Sequence, residues 1–159
     1  MGKRPVGKAA ATLLAVALFA GCASNTSAQA PAASGGQTLY KRLGGYDAIA
    51  AVSDEFIGRL ASDKQLSRFL VGLSSDSQKR LRQLVVDQLC AATGGPCLYI
   101  GRDMKTAHAG LNITEGDWDL TVKHLIASLD KFKVPEKEKT EFLALASSLK
   151  PDIVQQPKK

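Results

Sequence analysis

Few side chains in this chain can do chemistry. His108 and His124 are its two histidines, and Cys22, Cys90 and Cys97 its three cysteines. His108 sits near the end of a glycine-punctuated stretch, Gly94 to Ile113, that reads GGPCLYIGRDMKTAHAGLNI. Met104, four residues earlier, shares a helical face with it. A neutral imidazole carried on such a segment can serve as a positioned ligand. A histidine near a helix end serves equally well as a surface cap, and that is the commoner use. His124 lies inside a run with helical apolar spacing and reads as a packed or hydrogen-bonded structural residue. Cys90 and Cys97 are not in a C-x-x-C arrangement, so thioredoxin-type exchange is poorly supported. Whether they pair or remain two buried thiols depends on the compartment.

The first residues bear on the compartment. Lys3, Arg4 and Lys8 precede an apolar run from Ala9 to Ala20. That run is too short to span a bilayer, which takes roughly 20 residues, and has the form of a secretory signal. It ends in Leu18-Phe19-Ala20-Gly21-Cys22, which resembles the bacterial lipobox, although Phe19 is bulkier than the usual alanine or serine. The resemblance implies a diacylated Cys22 at the mature N-terminus, held on a membrane by two acyl chains. With the box unused, the product is a soluble periplasmic protein. A buried core helix is the bland alternative for Ala9 to Ala20, but charge precedes the run and the polar stretch Ala23 to Gly36 follows it. The expected organisation is a signal over 1–21, a flexible tether over 22–37 and one domain over 38–156. Export to an oxidising compartment favours a Cys90–Cys97 disulfide around Gly94-Gly95-Pro96.

The formal net charge of +6 misleads, because Lys3, Arg4, Lys8, Lys158 and Lys159 lie outside the domain's helices. Within the domain charges alternate in sign, as on a solvated helical surface. Aromatics are few and do not interleave with basic residues, so nucleic acid is not an expected partner.

The elements that must position these residues are helices, since no segment alternates with period two. Leu39 to Leu43 forms a short helix, and Ile49, Val52, Phe56 and Leu60 make one face of a long one. Leu66, Phe69 and Leu70 form a brief apolar turn. A helix over about 76–92 carries Leu81, Leu84, Val85, Gln88 and Leu89 on one face, and Thr93-Gly94-Gly95-Pro96 ends it. Two helical turns are expected around Met104 to Ala109, capped by Gly110. Thr114 to Asp117 fits a capping box, opening a helix whose apolar face is Trp118, Val122, Leu125, Ile126 and Leu129. Val134-Pro135-Glu136 starts the last helix, with Phe142, Leu145, Ala146 and Leu149 inward and Pro151 closing it. The fold class is all-α, a single domain.

From Thr38 to about Val154 the chain resembles the group I truncated haemoglobins, the two-over-two globins. The resemblance rests on Leu39-Tyr40, Leu43-Gly44-Gly45, Phe56, Asp63 to Phe69, Gly94-Gly95 and Tyr99. It continues through Gly101-Arg102-Asp103-Met104, Ala107 to Leu111, Ile113-Thr114, His124-Leu125 and Val134-Pro135. It implies a truncated globin fold and a haem b cofactor, with His108 as the proximal ligand to iron. The second imidazole nitrogen should then bond a backbone carbonyl or similar acceptor, which fixes the tautomer. Phe56 and Phe69 match haem-packing phenylalanines, Leu70 standing where a second phenylalanine is usual, and for both phenylalanines ordinary core packing is compatible with that role. Met104 should cover the proximal side, and Trp118 stands where the family usually has phenylalanine against the porphyrin.

The distal side departs from the pattern. Ile57 replaces the tyrosine that many members place after the residue matching Phe56. An ungapped count back from Gly94 puts Leu81, Leu84 and Val85 where polar residues or histidine often face the iron. Only Gln88, and less readily Gln83, could supply a polar contact there. The resemblance implies binding of O2 or another diatomic ligand, NO or CO, at the cell envelope, with no enzymatic turnover expected. NO dioxygenation or other haem redox work is the alternative, and needs stabilised O2 and an electron source; the chain does not name a reductase. A non-haem structural or interaction lipoprotein on the same scaffold is the other class.

Overall fold

The computed structural model describes residues 36–155. The expected signal, the lipobox with Cys22, and nearly all of the tether lie outside the described residues. Seven α-helices and one 3-10 turn appear among the described residues, and no strand. They are α1 (Leu39–Arg42), α2 (Gly45–Ser62), the turn Ser67–Phe69, α3 (Ser75–Ala92), α4 (Met104–His108), α5 (Glu115–Lys131), α6 (Glu136–Ser148) and α7 (Lys150–Ile153). The longer helices form two pairs, α2 with α3 and α5 with α6, and α2 also packs on α5. This is the two-over-two globin arrangement.

Local chemistry explains the boundaries. The side chain of Ser74 caps α3 by accepting from the Ser77 amide, and Thr114 and Asp117 form a complete capping box at α5. At the α1–α2 junction Gly44 and Gly45 both take positive φ, +99° and +80°, which lets the two helices meet across a turn of only two residues, Leu43 and Gly44. Two buried clusters hold the bundle. Leu39, Val52, Leu125, Leu129 and Phe142 form one, with Phe56 and Leu89 packed against it. Ile49, Ala50, Val86 and Cys90 form the other, between α2 and α3. Ion pairs strap the outside: Arg42 to Glu138 (3.0 Å) and Glu141 joins α1 to α6, and Arg82 to Asp54 (2.7 Å) joins α3 to α2.

α3 meets α2 through Val86 and Cys90, both fully buried, with Leu89 packed beside them, whereas Leu81, Leu84, Val85 and Gln88 of the apolar row are half-buried. Apolar residues lie on two sides of this helix, and periodicity alone does not say which side meets another helix. Leu145 is 39% exposed instead of inward, leaving Phe142 as the buried anchor of α6. Pro151 does not close α6. It lies in the first turn of a separate helix, α7, where its missing N–H costs nothing.

Candidate functional site

The stretch between α3 and α5 is held at every few residues. Cys90, at the end of α3, is disulfide-bonded to Cys97. Gly95 lies so close to Tyr40 and Cys90 that a β-carbon would come within 2.5 Å of the tyrosine ring and 2.7 Å of the sulfur. The Tyr99 ring crosses Gly101, where a β-carbon would meet its hydroxyl at 2.2 Å, and that hydroxyl donates to the Arg102 carbonyl (2.6 Å). Burial, and then the Asp103 charge, push the Tyr99 phenol up, so it keeps the proton it donates. Close packing is therefore the role of Gly95 and Gly101. Conformational freedom is used at Gly94 and Gly110, with φ of +82° and +80°.

Next comes α4, five residues long. A helix this short has no stability of its own in water. Its N-terminus is capped by Asp103, whose Oδ1 accepts from the Thr106 amide (2.8 Å). Its C-terminal carbonyl, that of His108, accepts from the side chain of Gln155, and α4 packs against α7. The imidazole is oriented within the helix: Nδ1 lies 2.8 Å from the Met104 carbonyl oxygen. A carbonyl oxygen can only accept, so Nδ1 carries the proton and Nε2 of the neutral ring holds a free lone pair. Among the described residues Nε2 has no hydrogen-bond partner. A metal ligand needs this tautomer with this type of backbone support. Among the described residues no three His, Cys, Asp or Glu side chains come together as a metal site. A metal bound at His108 must therefore bring its other ligands with it, as haem iron does.

The apolar partner for a planar cofactor is also present. α3 packs on α2 through its Val86 face and makes no comparable contact with α4. On its other side Leu81, Leu84, Val85 and Gln88 are half-buried. Phe69, Met104 and Ile57 are half-buried as well. Half-buried apolar side chains on α2, α3, α4 and the 63–73 connection are what a haem face would complete, so the residues present fit that group. Of the remaining candidates, Phe56 packs with Leu125 and Leu129 in the main core, and Trp118 is buried at 9% exposure. The structure brings Met104 and His108 into direct contact. Gln83 bonds the Tyr46 hydroxyl and Asp87 (both 2.9 Å) and so points away from that face, while Gln88 makes no hydrogen bond among the described residues.

The 63–69 segment carrying Phe69 is clamped to α5 by two carboxylates. Asp63 accepts from the Gln65 and Leu66 amides through Oδ1 (2.8 and 3.0 Å), and its Oδ2 lies 2.9 Å from Nε2 of His124. The bond to His124 comes first, then those two amides, in holding the Asp63 carboxyl below its usual range. His124 is thus the structural residue expected. Asp117, 1% exposed, accepts from Gln65 Nε2 (2.7 Å), Arg68 (2.8 Å), and the amide and hydroxyl of Thr114 (2.9 and 2.7 Å). Burial pushes its pKa up, but the bonds from Gln65, Thr114 and Arg68 outweigh this and hold it at about 2. The Arg68 guanidinium also lies over the Phe69 ring, 4.3 Å from its centre. Sequence reasoning identified Asp117 as a cap and missed its bonds to Gln65 and Arg68. It gave Gln155 no role, and a lone polar residue after the last helix offers no local signal.

The family described as bacterial-like globin matches residues 38–155. A group 1 truncated hemoglobin, GlbN, of Mycolicibacterium paratuberculosis is 35% identical over 116 residues, 73% of this chain and 83% of that protein. Its counterpart in Nostoc commune is 40% identical over 88 residues, 55% of this chain and 72% of that protein. Among solved structures, ferric truncated hemoglobin from Tetrahymena pyriformis superposes with a TM-score of 0.69 at 26% identity, covering 76% of this chain and all of that one. The chain therefore belongs to the bacterial-like globins as a group 1 truncated haemoglobin, and its cofactor is haem b.

Proposed function

We propose that this protein is an exported globin that holds haem through Nε2 of His108 and binds a diatomic ligand on the opposite, apolar face. The observation that carries the reading is the His108 imidazole. Its Nδ1–H is committed to the Met104 carbonyl and its Nε2 is left without a partner among the described residues. Bound haem supplies an iron centre that accepts a diatomic ligand opposite an imidazole. Met104 and Phe69 supply apolar cover for the ring, Phe56 reaches it from the core, and Trp118 backs it from α5. Leu84 and Val85 wall the other side.

No hydrogen-bond donor stands at Ile57, Leu81, Leu84 or Val85, which leaves the Gln88 amide as the nearest polar group on that face. A ligand whose binding depends on a donated hydrogen bond gains little here, which favours CO and NO over O2. Ligand binding is preferred to NO dioxygenation for the same reason. The test is absorption spectroscopy of the 36–159 chain, ferric and ferrous, with O2 and CO, beside His108→Ala. Wild type should take up one haem and bind CO much more tightly than O2, and His108→Ala should lose the imidazole-ligated spectrum. An unchanged spectrum and stoichiometry in His108→Ala would refute the ligand assignment.

Attachment to the envelope belongs to the same proposal. Its support is the Lys3/Arg4/Lys8 charge, the Ala9 to Ala20 run and the Leu18 to Cys22 box. Cells fed labelled palmitate should yield a labelled protein from the wild-type gene and an unlabelled one from Cys22→Ser. Unlabelled wild type would reduce the proposal to a soluble exported globin.

A further inference from the structure

The helix that presents His108 cannot hold itself in place, so something outside it must set the imidazole's direction. Asp103 and Tyr99 fix the N-terminal end. At the C-terminal end α4 packs against α7, and the side chain that bonds its last carbonyl is that of Gln155, just beyond α7. Gln155 donates from Nε2 to the His108 carbonyl (2.5 Å), accepts at Oε1 from the Asn112 amide (3.1 Å), and donates its own amide to the Ile113 carbonyl (3.0 Å). One side-chain amide therefore spans the turn from His108 to Asn112. That turn is conformationally demanding, since Gly110 and Asn112 both have positive φ, +80° and +53°. Within it the His108 carbonyl has one other donor, the Leu111 amide at 3.2 Å.

We infer that Gln155 is a positioning residue for the proximal histidine, a strut from the C-terminal segment that fixes the rotation of α4 and so the aim of Nε2. The inference rests on the haem reading for its consequence and not for its geometry. Apolar packing on α7 limits where α4 lies but sets its rotation less sharply than a directional hydrogen bond at its last carbonyl. The ring travels with the helix, because Nδ1 is bonded to a carbonyl of the same helix. The residues just after α7 thereby become part of the site.

The test uses the full chain with two substitutions at an exposed position, where folding is not at risk. Gln155→Met keeps the length and removes both side-chain bonds. Gln155→Glu keeps the acceptor for Asn112 and removes the donor to His108. In haem-free protein, amide exchange at Asn112 should quicken about tenfold in Gln155→Met and stay near wild type in Gln155→Glu. In haem-loaded ferrous protein, both should shift and broaden the iron–imidazole stretching band and speed haem loss to an acceptor globin on the order of fivefold, the scale of one hydrogen bond. Wild-type exchange in Gln155→Met would overturn the strut itself. Quickened exchange with an unmoved band would overturn positioning and leave a simple cap. Failure of wild type to take up haem would instead sink the haem reading, and the exchange data would still decide the strut.

Discussion

Two connections in this fold carry candidate haem-facing residues without a long helix to hold them: 63–73, between α2 and α3, and 94–113, between α3 and α5. Both contain only one short helical segment, yet they are secured by different chemistry. The first is pinned by carboxylates. Asp117 gathers Gln65, Arg68 and Thr114, and Asp63 meets His124. The second is pinned by a disulfide, two glycines that admit close packing, a tyrosine hydroxyl on a carbonyl and the Gln155 amide, with a single carboxylate, Asp103, at the α4 cap. The difference follows from what each segment must present. Phe69 needs only a place in an apolar wall, and fixed charge behind it does no harm. His108 must stay neutral and keep Nε2 free, and an anion or cation alongside would disturb both its proton and any iron it holds.

The contrast can be broken from either side. Replacing Asp117 with alanine removes a buried anion and strands the donors of Gln65, Arg68 and Thr114. The expected loss is about 2–4 kcal/mol, read from denaturant unfolding of the haem-free chain. Because Asp117 titrates at about 2 when folded and near 3.8 when free, its contribution is complete above about pH 4 and is lost as pH falls toward 2. Wild type should show that decline below pH 4 and Asp117→Ala should not. Equal acid sensitivity in both proteins would show that the first connection is not charge-held.

Cys97→Ser, or reduction of wild type, should cost about 2.5 kcal/mol by loop closure over the short Cys90–Cys97 interval. The loss should be independent of pH between 4 and 7 and confined in amide exchange to 94–101. Loosening spread equally into 63–69 would mean that the two connections are not held separately. The smallest effect belongs to Arg68→Met. That change removes a half-exposed ion pair and the cation over Phe69, and should cost about 1 kcal/mol while leaving the His108 environment unaltered by NMR.

Much of this architecture is local and was readable in order. The α5 start is written in Thr114 and Asp117, the α3 stop in Gly94-Gly95-Pro96, and the end of the short α4 in Gly110. The His108 tautomer also follows a local rule, because its acceptor is four residues back on the same turn. α3 was harder. It carries apolar residues on two sides, and a repeat of 3.6 residues describes both without saying which meets α2.

By itself the sequence determined the long helices and the α5 cap, since these depend on interactions within about one turn, while His108 stood out as a ligand through the family resemblance. The tertiary structure alone decided that Val86 and Cys90 are core while Leu84 and Val85 stay half-buried. It also decided that Asp63 meets His124 across 61 residues and that Gln155 reaches the His108 carbonyl across 47. Contacts at such separations leave no periodic trace in the chain, because nothing near either residue in sequence needs to change for them to form. They exist only once α5 and α7 have folded back onto the two connections.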